Sequence, residues 1–243
     1  MQLDPTKDKI IQFIRSHVGD KPVVIGLSGG IDSSLIAFLA VEALGADNVH
    51  AILSPASTNT AQDLELAQKI VSIFGLRSSV FNIEPILESF QKSTNLYKDQ
   101  KSLGNLKART RMSILYGKAN EINGIVLGTG NKTELTLGYF TKYGDGGVDL
   151  LPIGDLYKTD ERELAKYLGV PQEIIDRPPT AGLWEGQTDE DEMGITYDVL
   201  DKILMAIENK KSLDEFNDID VEKVKTMMKN AEHKNKIPPI CKI

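Results

Sequence analysis

The sequence is poor in the residues that build disulfides, zinc sites and membrane spans. Its 243 residues include one cysteine, Cys241, and three histidines. A lone thiol excludes an internal disulfide, and so few sulfur and imidazole ligands exclude a zinc site of the usual spacing. No apolar run approaches the ~20 residues that cross a bilayer, and residues 1–15 do not resemble a signal peptide. We therefore expect a cytoplasmic protein without a membrane partner, whose metal, if it has one, is a hard ion.

A basic surplus is also missing. The chain carries 28 lysines and arginines against 35 acids, a net charge of −7. Proteins that grip a nucleic-acid backbone usually show the opposite balance, so no nucleic-acid partner is predicted. The hydrophobic fraction of 41% is ordinary for a globular chain. The length suits one hydrophobic core, and we predict a single domain over residues 1–243.

Short β-branched runs alternate with helical patterns through the first half of the chain. We predict strands at 22–27, 50–53, 79–83 and 125–127, and helices from Asp4, at 35–44 and 61–74, from about Pro85, and at 106–122. This alternation predicts an α/β, Rossmann-like parallel sheet with helices on both faces. Further helices at 159–168, 172–176, 197–208 and 221–232 predict a helical C-terminal part, interrupted by an exposed acidic loop at 185–192.

The turn after the first predicted strand has the features of a phosphate-binding loop. It reads SGGIDS and leads directly into a helix. Gly29 and Gly30 allow a close backbone approach, and Ser28 and Ser33 add hydroxyl donors. Free N–H groups at the helix N-terminus favour an anion there. The alternative is an ordinary tight turn, but the complete string after an apolar strand favours the phosphate site.

Asp32 separates this loop from two common phosphate loops. A Walker loop has a lysine just before its Ser/Thr, where this chain has Asp32, and the dinucleotide fingerprint G-x-G-x-x-G is absent. An aspartate would repel a polyphosphate unless a divalent ion lay between them. Asp32 is therefore predicted to be a Mg²⁺ ligand.

Several blocks of sequence resemble a known family. Residues 26–33 resemble the pyrophosphate-binding loop of N-type ATP pyrophosphatases, which have an adenine nucleotide α hydrolase-like fold. The blocks GTGNKTE at 128–134, YFTKYGDGGVD at 139–149, PTAGL at 179–183 and EHK at 232–234 are similar to the ammonia-dependent NAD synthetase family. The resemblance extends from about Val24 to Pro239.

This resemblance implies a reaction. The family amidates deamido-NAD in the last step of NAD biosynthesis, as a ligase that forms a C–N bond. The carboxylate attacks the α-phosphorus of ATP to give an acyl adenylate and pyrophosphate, and ammonia then displaces AMP. The resemblance further implies Mg²⁺ as cofactor, a homodimer with its substrate at the subunit boundary, and free ammonia instead of glutamine. The helix predicted at 106–122 is a candidate for the dimer interface.

The resemblance also implies residue roles. Asp32 and Glu134 would bind Mg²⁺ and, with Lys158, form the catalytic set. The implied ATP contacts are Gly26, Leu27, Ser28, Gly29, Gly30, Ile31, Asp32, Ser33, Thr129, Lys158 and Thr180, and the implied deamido-NAD contacts are Arg109, Lys142, Asp149, His233 and Lys234. Lys158 and His233 also have a plain interpretation as solvated surface residues. Arg111 rivals Arg109, because alternating arginines project to different sides of a helix.

Two other functions remain open from the sequence. An RNA-modifying relative with the same loop would need a basic RNA-binding face and usually thiol chemistry, and the net charge and single cysteine argue against it. A non-catalytic nucleotide-binding module would need only the loop. The presence of Asp32, Glu134 and Lys158 together argues against that alternative.

Overall fold

The computed structural model describes residues 1–242 and contains one parallel sheet with the strand order β3-β2-β1-β4. Its strands are β1 (Val23–Gly26), β2 (Val49–Leu53), β3 (Arg77–Val80) and β4 (Ile125–Leu127). The helices are α1 (Leu3–Val18), α2 (Ile31–Leu44), α3 (Ala61–Phe74), α4 (Glu84–Thr94), α5 (Gln100–Ile122), α6 (Lys132–Leu137), α7 (Lys158–Leu168), α8 (Gln172–Ile175), α9 (Asp189–Met193), α10 (Tyr197–Glu208) and α11 (Asp218–Ala231), with a 3₁₀ turn at Ala46–Asn48. The predicted α/β class is confirmed.

Both faces of the sheet are buried at the apolar strands β1 and β2. Successive side chains of a strand point to opposite faces. Val23 and Ile25 of β1 therefore join the core formed with α1, α2, α3 and α7. Val24 lies on the other face and packs with Val126 of β4 and Ala119 of α5. The predicted helices on both faces of the sheet are thus present.

A second hydrophobic cluster lies in the C-terminal part of the chain. Tyr197, Leu200 and Ile203 of α10 are fully buried there and pack with Val224 of α11 and Leu137 of α6. The apolar spacing along α10 is typical of a helix that buries one face. The predicted helical C-terminal part is confirmed, and its contact with α6 brings it beside the candidate site.

Several predicted boundaries were wrong. Helix α2 begins at Ile31, inside the glycine loop, instead of at residue 35, and α5 begins at Gln100 because Asp99 caps it through its side chain. Strand β3 occupies Arg77–Val80 instead of 79–83, because this strand is mostly polar and gives a weak apolar signal. The acidic stretch 185–192 is not all exposed loop. Helix α9 begins within this stretch at Asp189, and Asp189 itself is buried.

The strand order places a crevice where ligands commonly bind in such sheets. The chain runs outward from β1 through β2 to β3, and β4 then pairs with the opposite side of β1. The carboxyl ends of β1 and β4 lie at this change of direction, which is the usual ligand position in open α/β sheets. Within residues 1–242, no helix combines the length and apolar character needed to cross a membrane.

Candidate active site

The glycine loop lies between the end of β1 and the start of α2. Gly29 has φ +83°, and a Cβ atom built on it would lie 2.3 Å from the main-chain oxygen of Asp63 in α3. Only glycine tolerates both this conformation and this approach. Ser33 Oγ donates to the carbonyl of Gly30 at 3.2 Å and accepts from the N–H of Ser28 at 3.2 Å. The loop is therefore closed on itself before any ligand binds.

The first turn of α2 is left open to an anion. Its N-cap residue is Gly30, which has no side chain to cap the free N–H groups. Those groups, together with the helix dipole, favour a phosphate or pyrophosphate at this point. Gly26, Leu27, Ser28 and Ser33 all line the adjoining cleft. Phosphate binding by this loop stays a prediction.

The cleft has a volume of about 490 Å³ and is bounded by four parts of the chain. These parts are the glycine loop, the segment after β4 with Thr129 and Gly130, helix α5 with Arg111, and the segment with Thr180. The guanidinium of Arg111 donates to Ser54 O at 3.1 Å and to Asn59 Oδ1 at 3.0 Å. The size suits a small molecule such as a nucleotide.

Asp32 belongs to a compact polar cluster behind the loop. Its Oδ1 accepts from Lys158 Nζ at 2.6 Å and from Asn131 Nδ2 at 3.0 Å. Lys158 also pairs with Glu161 Oε2 at 3.2 Å, and Asn131 donates to that same oxygen at 3.1 Å. Burial acts to raise the pKa of Asp32, but the charge of Lys158 and the hydrogen bonds from Glu161, Lys158 and Asn131 together hold this pKa below its usual value. Asp32 is therefore ionised at neutral pH.

Glu134 reaches the same cleft from α6. Asn131 is the N-cap of this short helix, and the two residues form a capping box in which each side chain binds the main-chain N–H of the other. Burial and then the charge of Asp32 raise the pKa of Glu134 well above its usual value. Asn131 is fully buried and thus fixes the main chain of Glu134 while holding the carboxylate of Asp32.

The donor set suits a hard divalent ion. Two carboxylates, from Asp32 and Glu134, line one cleft, and the charge of Asp32 disfavours ionisation of Glu134. A cation between them would relieve this repulsion. Within residues 1–242, no group of three or more histidine, cysteine, aspartate or glutamate side chains is arranged to hold a metal. Two protein carboxylates with substrate phosphates completing the shell is the arrangement expected for Mg²⁺.

Lys158 is not a solvated surface lysine, so that interpretation was wrong. Its side chain is fully buried, at the first position of α7. Although burial opposes it, the charges of Asp32 and Glu161 raise the pKa of Lys158 above its usual value. Glu161 is also fully buried, and its Oε1 is unpartnered among the side-chain atoms that the structure describes. Lys158 supplies the positive charge of this buried cluster.

Loss of Lys158 should destabilise the fold. We expect Lys158→Met to lower the free energy of unfolding by about 3 kcal/mol, because removing one partner leaves buried acidic groups uncompensated. Urea denaturation measures the effect through the midpoint at an unchanged m-value. The double variant Lys158→Met with Glu161→Gln should recover part of the loss. Equal stability of wild type and Lys158→Met would contradict this account.

The residues expected to contact deamido-NAD fall into three places. Arg109, Lys142 and His233 lie outside the cleft, where Arg109 donates to Lys142 O at 3.3 Å and Lys142 Nζ donates to His233 O at 2.5 Å. Lys234 lines the cleft and donates to the carbonyls of Gly138 and Phe140, each at 2.6 Å. The two lysines and His233 are therefore neighbours that join the cleft to the surface.

Asp149 has internal partners for both carboxylate oxygens. Oδ2 accepts from the main-chain N–H of Val126 at 2.8 Å, and Oδ1 accepts from the hydroxyl of Tyr116 at 3.0 Å. These bonds attach the segment after the glycine-rich stretch to β4. The expected role of Asp149 in orienting a ribose stays a prediction.

Sequence reasoning missed several residues of the site. Asn131 and Glu161 join Asp32 to Lys158, and Asn131 had a usable signal in the N-x-x-E pattern of a capping box. Glu161 and the buried Lys107 gave no such signal. Arg111 lines the cleft and Arg109 does not, so the two arginines do project to different sides of α5.

Comparisons with known proteins agree with this geometry. The sequence matches the NAD synthase family over residues 6–238. The chain belongs to the NAD synthase family. It is 50% identical to the NH₃-dependent NAD⁺ synthetase of Methanococcoides burtonii over 85% of this chain and 81% of that one.

Two solved structures cover the whole chain and are themselves covered completely. The NMN synthetase from Francisella tularensis has a TM-score of 0.92 at 36% identity. The NH₃-dependent NAD synthetase from Campylobacter jejuni has a TM-score of 0.86 at 34% identity. The family assignment therefore agrees in sequence and in fold.

Proposed function

We propose that this chain amidates deamido-NAD with ammonia and ATP, giving NAD, AMP and pyrophosphate through an acyl-adenylate intermediate. The family and its ammonia-dependent members support this activity in NAD biosynthesis. The observation that carries the proposal is that Asp32 and Glu134 line one cleft beside the open N-terminus of α2. That combination suits release of pyrophosphate, which needs both amide donors and a counter-charge.

The first step activates an unreactive carboxylate. The carboxylate oxygen attacks the α-phosphorus, and the bond to the β-phosphate oxygen breaks as pyrophosphate leaves. The N–H groups of the first turn of α2 and the hydroxyls of Ser28 and Ser33 hold the departing pyrophosphate, where negative charge increases. Positioning and electrostatic stabilisation account for most of the catalysis in such transfers.

The acidic pair gives this site its metal preference. Asp32 and Glu134 would hold Mg²⁺, which would neutralise charge on the phosphates. Asn131 and Lys158 hold the carboxylate of Asp32 at 3.0 and 2.6 Å, and the capping box holds the main chain of Glu134. The two acids are thus oriented by fully buried residues before substrate arrives.

The second step forms the amide. Ammonia attacks the acyl carbon, the bond to AMP breaks, and a proton is released. Thr129 and Thr180 line the cleft and are proposed to contact the nucleotide. The step needs a site closed to water, because water competes with ammonia for the same carbon.

The surface patch of Arg109, Lys142 and His233 is proposed to bind deamido-NAD at the boundary of a homodimer. Neither Arg109 nor Lys142 has a carboxylate within 4.0 Å among residues 1–242, so their charges are available to the pyrophosphate or carboxylate of the substrate. Lys234 connects this patch to the cleft. A cytoplasmic location and a single domain over residues 1–243 remain predictions.

A product assay tests the function directly. We expect the purified protein with MgATP, deamido-NAD and an ammonium salt to form NAD, AMP and pyrophosphate in equal amounts. Formation of ADP, or a strict need for glutamine, would contradict the proposal. Nicotinic acid mononucleotide is the informative control, since a structural relative is named NMN synthetase. A higher kcat/KM with the mononucleotide would reassign the substrate but keep the chemistry.

A further inference from the structure

Residues 177–188 border the cleft without regular secondary structure, and we call this segment the strap. It connects the short helices α8 and α9. Thr180, Leu183, Trp184 and Gln187 of the strap line the cleft. The strap is therefore part of the wall of the candidate adenylate site, and the contacts that hold it in place help to shape that site.

Lys107 of α5 lies beneath the strap in an unusual environment. It is 2% exposed, and its Nζ donates to the carbonyl of Leu183 at 2.8 Å and to Thr58 Oγ1 at 3.0 Å. It belongs to no ion pair within 4.0 Å in the described part of the chain. A buried ammonium without a counter-ion is unfavourable, and burial lowers the pKa of Lys107 accordingly.

Burial of the aliphatic stem of Lys107 does not need a charge. A methionine would fill much of the same space without the desolvation penalty. What the ammonium adds is a hydrogen bond to a strap carbonyl, and hydrogen bonds from charged donors are stronger than neutral ones. Its position therefore indicates a role in holding the strap.

Two neighbouring contacts act on the same part of the strap. Thr58 Oγ1 accepts from Lys107 and donates to the carbonyl of Gly182 at 3.2 Å. Gly104 lies one turn before Lys107, and a Cβ atom there would be 3.2 Å from Leu183 Cβ. The missing side chain at Gly104 lets the strap settle on α5. Lys107 is thus the centre of a small latch joining two consecutive strap carbonyls to the body of the domain.

We propose that Lys107 is a positioning residue that latches the strap over the acyl adenylate and so keeps water from its acyl carbon. This inference rests on the proposed function. When the strap is loose, water attacks the acyl carbon and the bond to AMP breaks. The products are deamido-NAD carboxylate, AMP and protons. Each such event consumes ATP and releases pyrophosphate without forming NAD.

The position of the strap can be measured without any assay of activity. Trp184 is the only tryptophan of the chain, so its fluorescence reports on the strap alone. We expect Lys107→Met to raise the Stern–Volmer constant for acrylamide quenching about twofold, as a locally opened segment becomes accessible. Lys118→Met is the matched control, because Lys118 lies on the same helix and pairs with Glu121. An unchanged quenching constant in a folded Lys107→Met protein would overturn the proposal.

The coupling of ATP cleavage to amidation gives the second measurement. We expect Lys107→Met to release about twice as much pyrophosphate as NAD at low ammonium, with the ratio returning toward equality as ammonium rises and outcompetes water. A merely structural role would lower both products together. Thr58→Val removes the second contact and should shift the ratio in the same direction, even if Lys107→Met fails to fold.

The double variant and the wild type distinguish failure of the latch proposal from failure of the proposed function. Lys107→Met and Thr58→Val act through one network, so we expect their effects on quenching to be less than additive. Equal amounts of pyrophosphate and NAD in all variants would refute the latch. A wild-type protein that formed no NAD would instead refute the proposed function, and the quenching result would still decide whether Lys107 holds the strap.

Discussion

Replacing Asp32 or Glu134 by alanine is expected to lower kcat about a hundredfold or more, the usual effect of losing one group that stabilises charge in the transition state. Both carboxylates line the cleft beside the open end of α2, and the pair provides the counter-charge through which a divalent ion meets the phosphates. Steady-state kinetics with deamido-NAD, ammonium and MgATP measure the loss. Mn²⁺ binding, followed by electron paramagnetic resonance, should weaken in both variants.

Asp155→Ala is the matched control for this pair. Asp155 is an exposed acid that pairs with Lys132 at 3.0 Å, and it does not line the cleft. We expect its kcat and Mn²⁺ affinity to stay close to those of wild type, since exposed ion pairs contribute little. Near-normal turnover in both Asp32→Ala and Glu134→Ala would show that the metal assignment is wrong.

Gly29→Ala is expected to cause the largest loss of stability among single substitutions in the loop. The new Cβ would lie 2.3 Å from the main-chain oxygen of Asp63, and the residue would keep φ +83°. Backbone atoms of α3 cannot move aside as a flexible side chain can. We expect the free energy of unfolding to fall by about 3 kcal/mol, combining backbone strain with a steric clash. Urea denaturation provides the measurement.

Gly45→Ala separates strain from crowding. Gly45 has a similar φ of +80°, but nothing lies within 4 Å of its Cβ position. Its loss should be about 1 kcal/mol, the size of the conformational penalty alone. If both variants lose the same stability, the close approach between the glycine loop and α3 is not the reason for glycine at position 29.

Most of the sheet was predictable because its strands are short apolar runs that alternate with helical patterns. Strand β3 was misplaced because its exposed, polar sequence resembles a loop. Helix α2 was predicted to begin four residues late, since SGGIDS contains glycines and serines that local propensity assigns to a turn. The helix begins inside that string, and this early start leaves free amide groups where the proposed phosphate would bind.

The residues of the candidate site also fall into those that the sequence predicted and those that it did not. The glycine loop and Asp32 were identified from contiguous residues, because the chemistry of a phosphate loop is written in one short string. Asn131, Glu161 and Lys107 were not, since their roles depend on partners 30 to 99 residues away in sequence, or on the strap at Leu183, 76 residues away. No local sequence pattern predicts contacts between residues that are so far apart in the chain. The exception is the capping box of Asn131 with Glu134, which a three-residue spacing reveals.

The sequence by itself determined the fold class and the family of this protein and predicted the phosphate loop, because each depends on residues that are close together or on long ordered blocks. Only the tertiary structure decided that Lys158 is buried against Asp32, that Arg111 faces the cleft while Arg109 faces outward, and that Lys107 lies under the strap. The physical reason is that burial and charge pairing arise when distant segments pack. The sequence around a lysine does not show whether its side chain will be exposed to solvent or buried beneath another segment.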